Sequence, residues 1–379
     1  MSNKLIRSIK DIFFDFPFSH DLKNKYQSVL SQNCFFSNVP NVKRTHRNYY
    51  LIYKEPIVII TSEQIRDLQL FSEHIGKKNE ATFLVYFWWT LFDNFSIFDE
   101  IAYQYKDHCD NFPNHKIIFL LNSQKEHEIF KSKGVKSEFI HQNALVDINL
   151  FEPLKQKKKY DVVYNGRLEE LKRHYLLKDC QKIGLISAYV MNIDSSKQEY
   201  LDELKKNIPH AFMINSNQST TIENFQFEMG FKYLTSKQVN VALNQSKVGV
   251  ILSAKEGACY ASIEYLLSGI PVVSTKNIGG RDYFLDKRFC RIVSSNPKAI
   301  KNAVDELISL DISPNFIREE TIKKMNHHLY KLKKLLRNIL KMDKQNNSNF
   351  DTFWENNYIN KMIKYSQPFP KSFINDINF

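Results

Sequence analysis

The stretch from Ser253 to Asp282, SAKEGACYASIEYLLSGIPVVSTKNIGGRD, constrains the fold more than any other part of the chain. The apolar run Val248-Gly249-Val250-Ile251-Leu252 precedes it and has the length of a short, fully buried strand. Small, turn-prone residues follow at Ser253, Ala254 and Gly257. A helical pattern then sets Ile263, Leu266 and Leu267 on one apolar face until Gly269 stops it. Ile270-Pro271-Val272-Val273-Ser274-Thr275 reads as a second buried strand, with proline near its start, where a ladder donor is dispensable. Strand, loop, helix and strand make one parallel α/β unit of about 30 residues.

Two carboxylates lie in this unit, Glu256 and Glu264, eight positions apart. Glu256 is expected in the loop at the carboxyl end of a strand, where open α/β sheets bind ligands. Glu264 is expected about two turns into the helix. Between them the backbone N–H groups of Gly257, Ala258 and Cys259 line a helix start, which is an anion seat. Acids on both sides of an anion seat suit a ligand with hydroxyls at its ends and phosphates in the middle, the layout of a nucleotide-sugar. Two surface acids on an ordinary α/β unit would show the same spacing. The longer string, EG after the strand, then GIPVVST, then GG, is what narrows the reading.

At these residues the chain resembles the retaining GT-B glycosyltransferases, the family 4-like group with a Glu-x7-Glu signature. The resemblance implies an α/β fold of two Rossmann-like domains with parallel sheets facing across a cleft. It implies that Glu256 holds the donor sugar's hydroxyls and Glu264 the ribose. Upstream, Asp161-Val162-Val163-Tyr164 reads as a strand, followed by Asn165-Gly166-Arg167 and, five residues after the arginine, Lys172. In the resembled family two cations at this spacing clamp the donor diphosphate. That puts Gly166, Arg167 and Lys172 in the site, with Arg173 and His174 in reach of the same phosphates. Such cations offset the charge that builds on the leaving phosphate, arginine as a fork and lysine as a point charge. A plain basic helix start is the other explanation, and the helix dipole disfavours it. Gly279 permits close backbone approach, as does Gly280, and Arg281 and Asp282 are minor site members. Sites of the kind the resemblance implies work by positioning and phosphate neutralisation, so no metal and no other cofactor is expected, in agreement with the lack of a metal-ligand carboxylate or histidine cluster in the sequence.

A chain of 379 residues accommodates two domains. The division expected is 1–153 for a reduced acceptor-side domain, 154–312 for the nucleotide-sugar-binding domain, and 313–379 for helices crossing back to the first. Strand-like runs at 56–60, 82–89 and 116–121 alternate with helical stretches at 63–75 and 99–109, the pattern of a parallel sheet with covering helices. The segment from Phe139 to Asp147 looks like the family's inter-domain turn, with Ala144 where a glycine is usual and with Asn143 and Asp147 as turn formers. Lys155 to Lys159 reads as a solvated linker. The first domain departs from the family in lacking an early Gly-Gly loop and in placing Trp88-Trp89-Thr90 where a histidine is common. These tryptophans either stack on a sugar at the acceptor side or are buried in the sheet.

Later segments follow the same rhythm. Strands are expected at 185–191, 211–215 and 290–294, a short strand and loop at 225–232, and helices at 197–206, 236–246 and from Pro297 to Leu310. The helix expected from Ile317 to Met342 is basic and amphipathic, fit to cross back onto the first domain or to face an anionic membrane. Lys4 to Phe16 has the same character and would lie on a membrane or pack on the core.

Five scattered cysteines (Cys34, Cys109, Cys180, Cys259 and Cys290), an odd number without a C-x-x-C pair, argue against a disulfide framework or zinc site and for a reducing compartment. No apolar run reaches the ~18 residues of a membrane span, and no signal-peptide core opens the chain, so a cytoplasmic location is expected, in reach of the inner membrane face. The net charge of +12 calls for anionic partners: nucleotide phosphates, a charged glycan or lipid-linked acceptor, or a membrane surface. Nucleic acid is not expected, because no nucleic-acid fold signature accompanies the charge. Cell-envelope polysaccharide synthesis fits these expectations. Two other readings stay open: a non-catalytic nucleotide-sugar binder, and an epimerase or phosphotransferase on the same fold.

Overall fold

A computed structural model describes residues 46–187, 195–341, 347–357 and 366–377. The Lys4–Phe16 segment, Cys34, residues 188–191 of the strand expected at 185–191, and Met342 at the end of the expected basic helix lie outside these residues. The described residues divide into two compact units, one of 46–146 with 325–377 and one of 147–324.

In the first unit, β1 (His46–Tyr53), β2 (Ile57–Thr61), α1 (Ile65–Ile75), β3 (Ala81–Tyr86), α2 (Ser96–Asn111), β4 (His115–Leu121), α3 (Gln124–Ser132) and β5 (Ser137–Phe139) follow one another. The strands from β2 to β5 pair in parallel in sequence order, and β1 lies antiparallel on β2. Every residue of β3 is buried, as a parallel strand covered on both faces requires. The strand ends at Tyr86, short of the expected Trp89. Thr90 caps a 3-10 turn there by accepting from the Phe92 N–H, so the backbone leaves the ladder through the two tryptophans.

The second unit contains β6 (Tyr160–Asn165), β7 (Ile183–Ile186), α4 (Ser195–Asn207), β8 (Phe212–Met213), β9 (Thr220–Thr221), α5 (Ser236–Asn244), β10 (Ser246–Ile251), α6 (Tyr260–Leu267), β11 (Val272–Thr275), β12 (Cys290–Val293), α7 (Pro297–Ser309) and α8 (Pro314–Ile339, continuing past this unit). Its seven strands are ordered β12-β11-β10-β6-β7-β8-β9, all parallel except the β8–β9 pair. The strand expected near Phe225–Lys232 is instead a 3-10 turn at Phe227–Met229. Helix α5 opens with a reciprocal Thr235–Gln238 capping box, and α7 opens on Asn296 followed by Pro297, so orphan N–H groups find acceptors.

The segment read as a solvated linker is tied down within the second unit. Asn244 Oδ1 accepts from the Leu154 N–H (2.8 Å), and Lys158 Nζ donates to the carbonyls of Asn244 and Ser246 (2.8 Å each). Arg318 donates to the carbonyls of Ile148 (2.8 Å) and Leu267 (3.1 Å) and to that of Phe151. These bonds draw residues from Asp147 onward into the unit.

After α8 come α9 (Asn347–Asn357), β13 (Ser366–Pro368) and α10 (Lys371–Ile377). Strand β13 pairs antiparallel with β1 and makes the first unit's sheet six-stranded. Leu332, Leu336, Leu340, Phe350 and Trp354 share one apolar cluster with Ile52, Val58, Ile60 and Leu84. The C-terminal residues thus complete the first unit's core.

Two α/β units with largely parallel sheets are the architecture the resemblance implies. Within β10, Gly249 has no room for a side chain: a Cβ there would lie 2.5 Å from the Tyr265 ring. Gly249→Ala should therefore cost about 1–3 kcal/mol by overpacking. The expected result is a thermal midpoint lower by several degrees, and an unchanged midpoint would contradict this packing.

Candidate active site

In the second sheet, β6 and β10 are neighbours from which the chain proceeds in opposite directions, to β7 and β8 on one side and to β11 and β12 on the other. Loops leaving the carboxyl ends of such a pair diverge and open a crevice, where ligands of open α/β sheets bind. The loop after β6 carries Gly166, Arg167, Lys172 and Arg173. The loop after β10 carries Ser253 and Glu256.

Lys172 and Glu256 meet here. Lys172 sits on a 3-10 turn (Glu170–Lys172), and its Nζ forms an ion pair with Glu256 Oε1. Both side chains are largely buried, at 13% and 8% exposure. Ser253 Oγ donates to the same carboxylate oxygen at 2.7 Å. Burial, the largest single influence, pulls the Lys172 ammonium down, but the Glu256 charge and hydrogen bond together with Tyr164 and Cys259 outweigh it and the net shift is upward. The two loops are also joined through Tyr164, whose hydroxyl donates to the Lys172 carbonyl (2.8 Å) and accepts from the Leu252 N–H (3.3 Å). Burial raises that phenol to about 12, so it keeps the proton this bridge requires.

Glu264 sits in α6. That helix starts at Tyr260 behind a left-handed Cys259 (φ 55°), so Glu264 is a little over one turn in, not two. Gly257 and Ala258 are buried in the loop before it. Asn165 Nδ2 donates to Glu264 Oε2 at 2.9 Å, and the Asn165 N–H donates to the Tyr265 hydroxyl at 2.6 Å. Burial pushes the Glu264 carboxyl up to about 7, against the smaller opposite effect of the Asn165 amide.

Other expected site residues lie differently. Arg167 is exposed and pairs with Glu169 at 3.3 Å. Arg173, expected to reach phosphates, is instead 5% exposed and points into the protein. Its Nε donates to the Leu252 carbonyl (2.5 Å), Nη2 to Thr275 Oγ1 (2.7 Å) and Nη1 to Ser295 Oγ (3.0 Å). A left-handed φ of 53° at this residue turns the chain inward, and the following residues form a second 3-10 turn (His174–Leu177). No α-helix starts there, so the dipole consideration does not apply. His174 is fully buried, its Nδ1 lies 3.0 Å from the Tyr200 hydroxyl, and burial lowers it to about 3. Gly166 fits because a Cβ would press within 3.1 Å of the Tyr164 ring.

In the first unit, Trp88 and Trp89 are half-buried beyond the end of β3, with Trp88 edge-on to Tyr86 at 5.3 Å. The turn that carries them is held by Glu126 Oε1, which accepts from Thr90 Oγ1 (3.1 Å) and the Leu91 N–H (2.9 Å). Burial raises the Glu126 carboxyl to about 7.

Sequence reading passed over Ser253, Asn165 and the Tyr164 and Tyr265 hydroxyls as site members. Asn165 and Ser253 had one available signal: each is a polar residue at or just past the carboxyl end of a buried strand. Among the described residues no three His, Cys, Asp or Glu side chains group as a metal site would need. Among them, too, no helix is long and apolar enough to cross a membrane.

The family described as Glycosyl transferases group 1 matches residues 213–324. That span holds β10, α6 and β11 with both glutamates. This part of the chain carries the Glycosyl transferases group 1 pattern. No curated protein matches it. Solved structures with a partly similar fold include sucrose-phosphate synthase from Thermosynechococcus elongatus (13% identity, 69% of this chain and 68% of that one, TM-score 0.48). Another is Anabaena Alr3699/HepE in complex with UDP and glucose (14%, 70% and 72%, TM-score 0.48). A third is a glycosyltransferase from Rickettsia africae (15%, 69% and 72%, TM-score 0.49).

The raised Glu264 carboxyl has a definite pH signature. Between its ordinary 4.5 and about 7 the folded chain holds a proton that the unfolded chain has released. This group's contribution to stability should therefore fall as pH rises through that window and stay level above it. Thermal melts from pH 5 to 8 should show Glu264→Gln gaining on wild type as pH rises. A constant difference would contradict the burial of this carboxyl.

Proposed function

We propose that the chain is a glycosyltransferase that takes its sugar from a nucleotide-sugar and moves it, with retained anomeric configuration, to a glycan or lipid-linked acceptor in cell-envelope polysaccharide synthesis. The observation that carries this reading is the Lys172–Glu256 pair at the divergence of the β6 and β10 loops. In it a cation and a carboxylate lie side by side where phosphate and sugar of one ligand would be neighbours.

Lys172, with Arg167 swinging in from the surface, would take the diphosphate and offset the charge that grows as the glycosidic bond breaks. Both hydrogen bonds to the Glu256 carboxylate fall on Oε1, so Oε2 is the oxygen for a sugar hydroxyl. Glu264, oriented by Asn165, would accept from the ribose hydroxyls. Gly257, Ala258 and Cys259 would bring the backbone to the phosphates. Arg173 has a supporting place in this scheme and does not touch the donor. Since neutralisation comes from side chains, no metal is needed. The net charge of +12 favours an anionic acceptor or membrane nearby. Trp88 and Trp89 are the aromatic surfaces on which an acceptor sugar would stack.

A second reading, a non-catalytic binder, draws on Trp88-Trp89-Thr90 standing where a histidine would be expected. Incubation with a panel of nucleotide-sugars and candidate acceptors separates the two. Wild type should release nucleoside diphosphate and form an axial or equatorial linkage matching its donor, with EDTA without effect. Glu256→Gln should lower kcat at least 100-fold, and Arg167→Ala should weaken diphosphate binding and lower kcat/KM, on the scale of a lost charged contact. Binding without turnover would favour the second reading, and wild-type rates in both variants would remove the site assignment.

A further inference from the structure

Arg281 is fully buried, at 0% exposure, in the turn that follows β11. A guanidinium with no accessible surface does not touch a ligand, and its charge must be met from inside. Asp282 Oδ1 accepts from its Nε at 2.8 Å. Its other two nitrogens go to main-chain carbonyls, Nη1 to Ser253 (2.6 Å) and Nη2 to Thr275 (2.5 Å). The parallel ladder between β10 and β11 ends at the Ile251–Ser274 pair. Past that pair the Ile278 N–H donates to the Ala254 carbonyl (2.9 Å) and the Glu256 N–H to the Ile278 carbonyl (3.3 Å), and Arg281 adds a side-chain tie between the two chains at Ser253.

Ser253 is the residue that receives this tie. With its carbonyl fixed by Arg281, its hydroxyl is aimed at Glu256 Oε1, where Lys172 also bonds. Two donors on one oxygen fix the carboxylate's rotation and reserve the other oxygen. We infer that Arg281 is a positioning residue, acting through Ser253, that orients the Glu256 carboxylate for recognition of the donor's sugar as distinct from its nucleotide. The inference rests on the nucleotide-sugar reading above and adds to it a specificity device one step removed from the ligand. Diphosphate binding depends less on this chain of contacts, because the Lys172 backbone is held separately through its carbonyl by Tyr164, although its ammonium shares Glu256 Oε1. The device should therefore act more on the sugar than on the nucleotide.

The test measures, by calorimetry, affinity for UDP, GDP and ADP and for UDP-glucose, GDP-mannose and ADP-glucose, in wild type, Ser253→Ala, Ser253→Thr and Arg281→Lys. The quantity read is the ratio of nucleotide-sugar to nucleoside diphosphate affinity. Wild type should favour at least one nucleotide-sugar over its diphosphate. Ser253→Ala should keep diphosphate affinity within about twofold and lose about fivefold to tenfold of the sugar preference, the net worth of one ordinary hydrogen bond. Ser253→Thr, which keeps the hydroxyl, should restore most of it, and Arg281→Lys should resemble Ser253→Ala. If turnover is measured alongside, kcat should fall in step with the sugar preference. An unchanged sugar preference in both Ser253→Ala and Arg281→Lys overturns the inference while leaving the donor-site reading intact. A wild type that binds no nucleotide-sugar removes both.

Discussion

The contact between Lys172 and Glu256 is the constraint on which the second unit's crevice depends. Either charge alone, this deeply buried, would be costly to desolvate, and removing one partner of such a pair destabilises by about 3–5 kcal/mol. Burial in a pair is weak evidence for stability, since well-packed apolar residues commonly do as well or better. A lysine and a glutamate kept together at the divergence of two strand loops therefore invite a functional explanation. Their separation in sequence means the fold must hold both loops steady for the pair to form. Tyr164 does so from beneath, by bonding the backbones of Lys172 and Leu252 at once.

Two arginines are buried around this pair. Arg173 and Arg281 are both buried, and they address adjacent points on the same two chains. Arg173 takes the Leu252 carbonyl and the Thr275 hydroxyl, and Arg281 takes the carbonyls of Ser253 and Thr275. Both bridge the ends of β10 and β11 where the ladder stops. Planar guanidinium forks suit such two-point bridges, which a lysine would not make. The crevice thus has two guanidinium groups fixed behind it, that of Arg281 partnered by Asp282, and a lysine paired with Glu256 at its front.

Much of the second unit was legible in its sequence. Apolar runs of four to six residues, punctuated by Gly257, Gly269 and Pro271, mark out β10, α6 and β11 because short buried parallel strands leave little else for such runs to be. The spacing of Glu256 and Glu264 was legible for the same reason. What sequence could not supply was direction. Lys172 and Arg173 are adjacent and equally charged, yet one faces the crevice and the other the interior, because a left-handed residue turns the chain between two 3-10 turns. Lys158 read as part of a solvated stretch because nothing local shows the two carbonyls that capture it. The early end of β3 depends on Glu126, a buried carboxyl distant in sequence from the turn it holds. Each of these is a long-range contact, and local periodicity does not report such contacts.

The most direct measurement is a crystal structure of the chain with an intact nucleotide-sugar. The account predicts the diphosphate on Lys172, with Arg167 drawn in, a sugar hydroxyl on Glu256 Oε2 and the ribose on Glu264, while Arg173 and Arg281 keep their carbonyl partners. A nucleotide bound elsewhere, with the Lys172–Glu256 pair untouched, would contradict it.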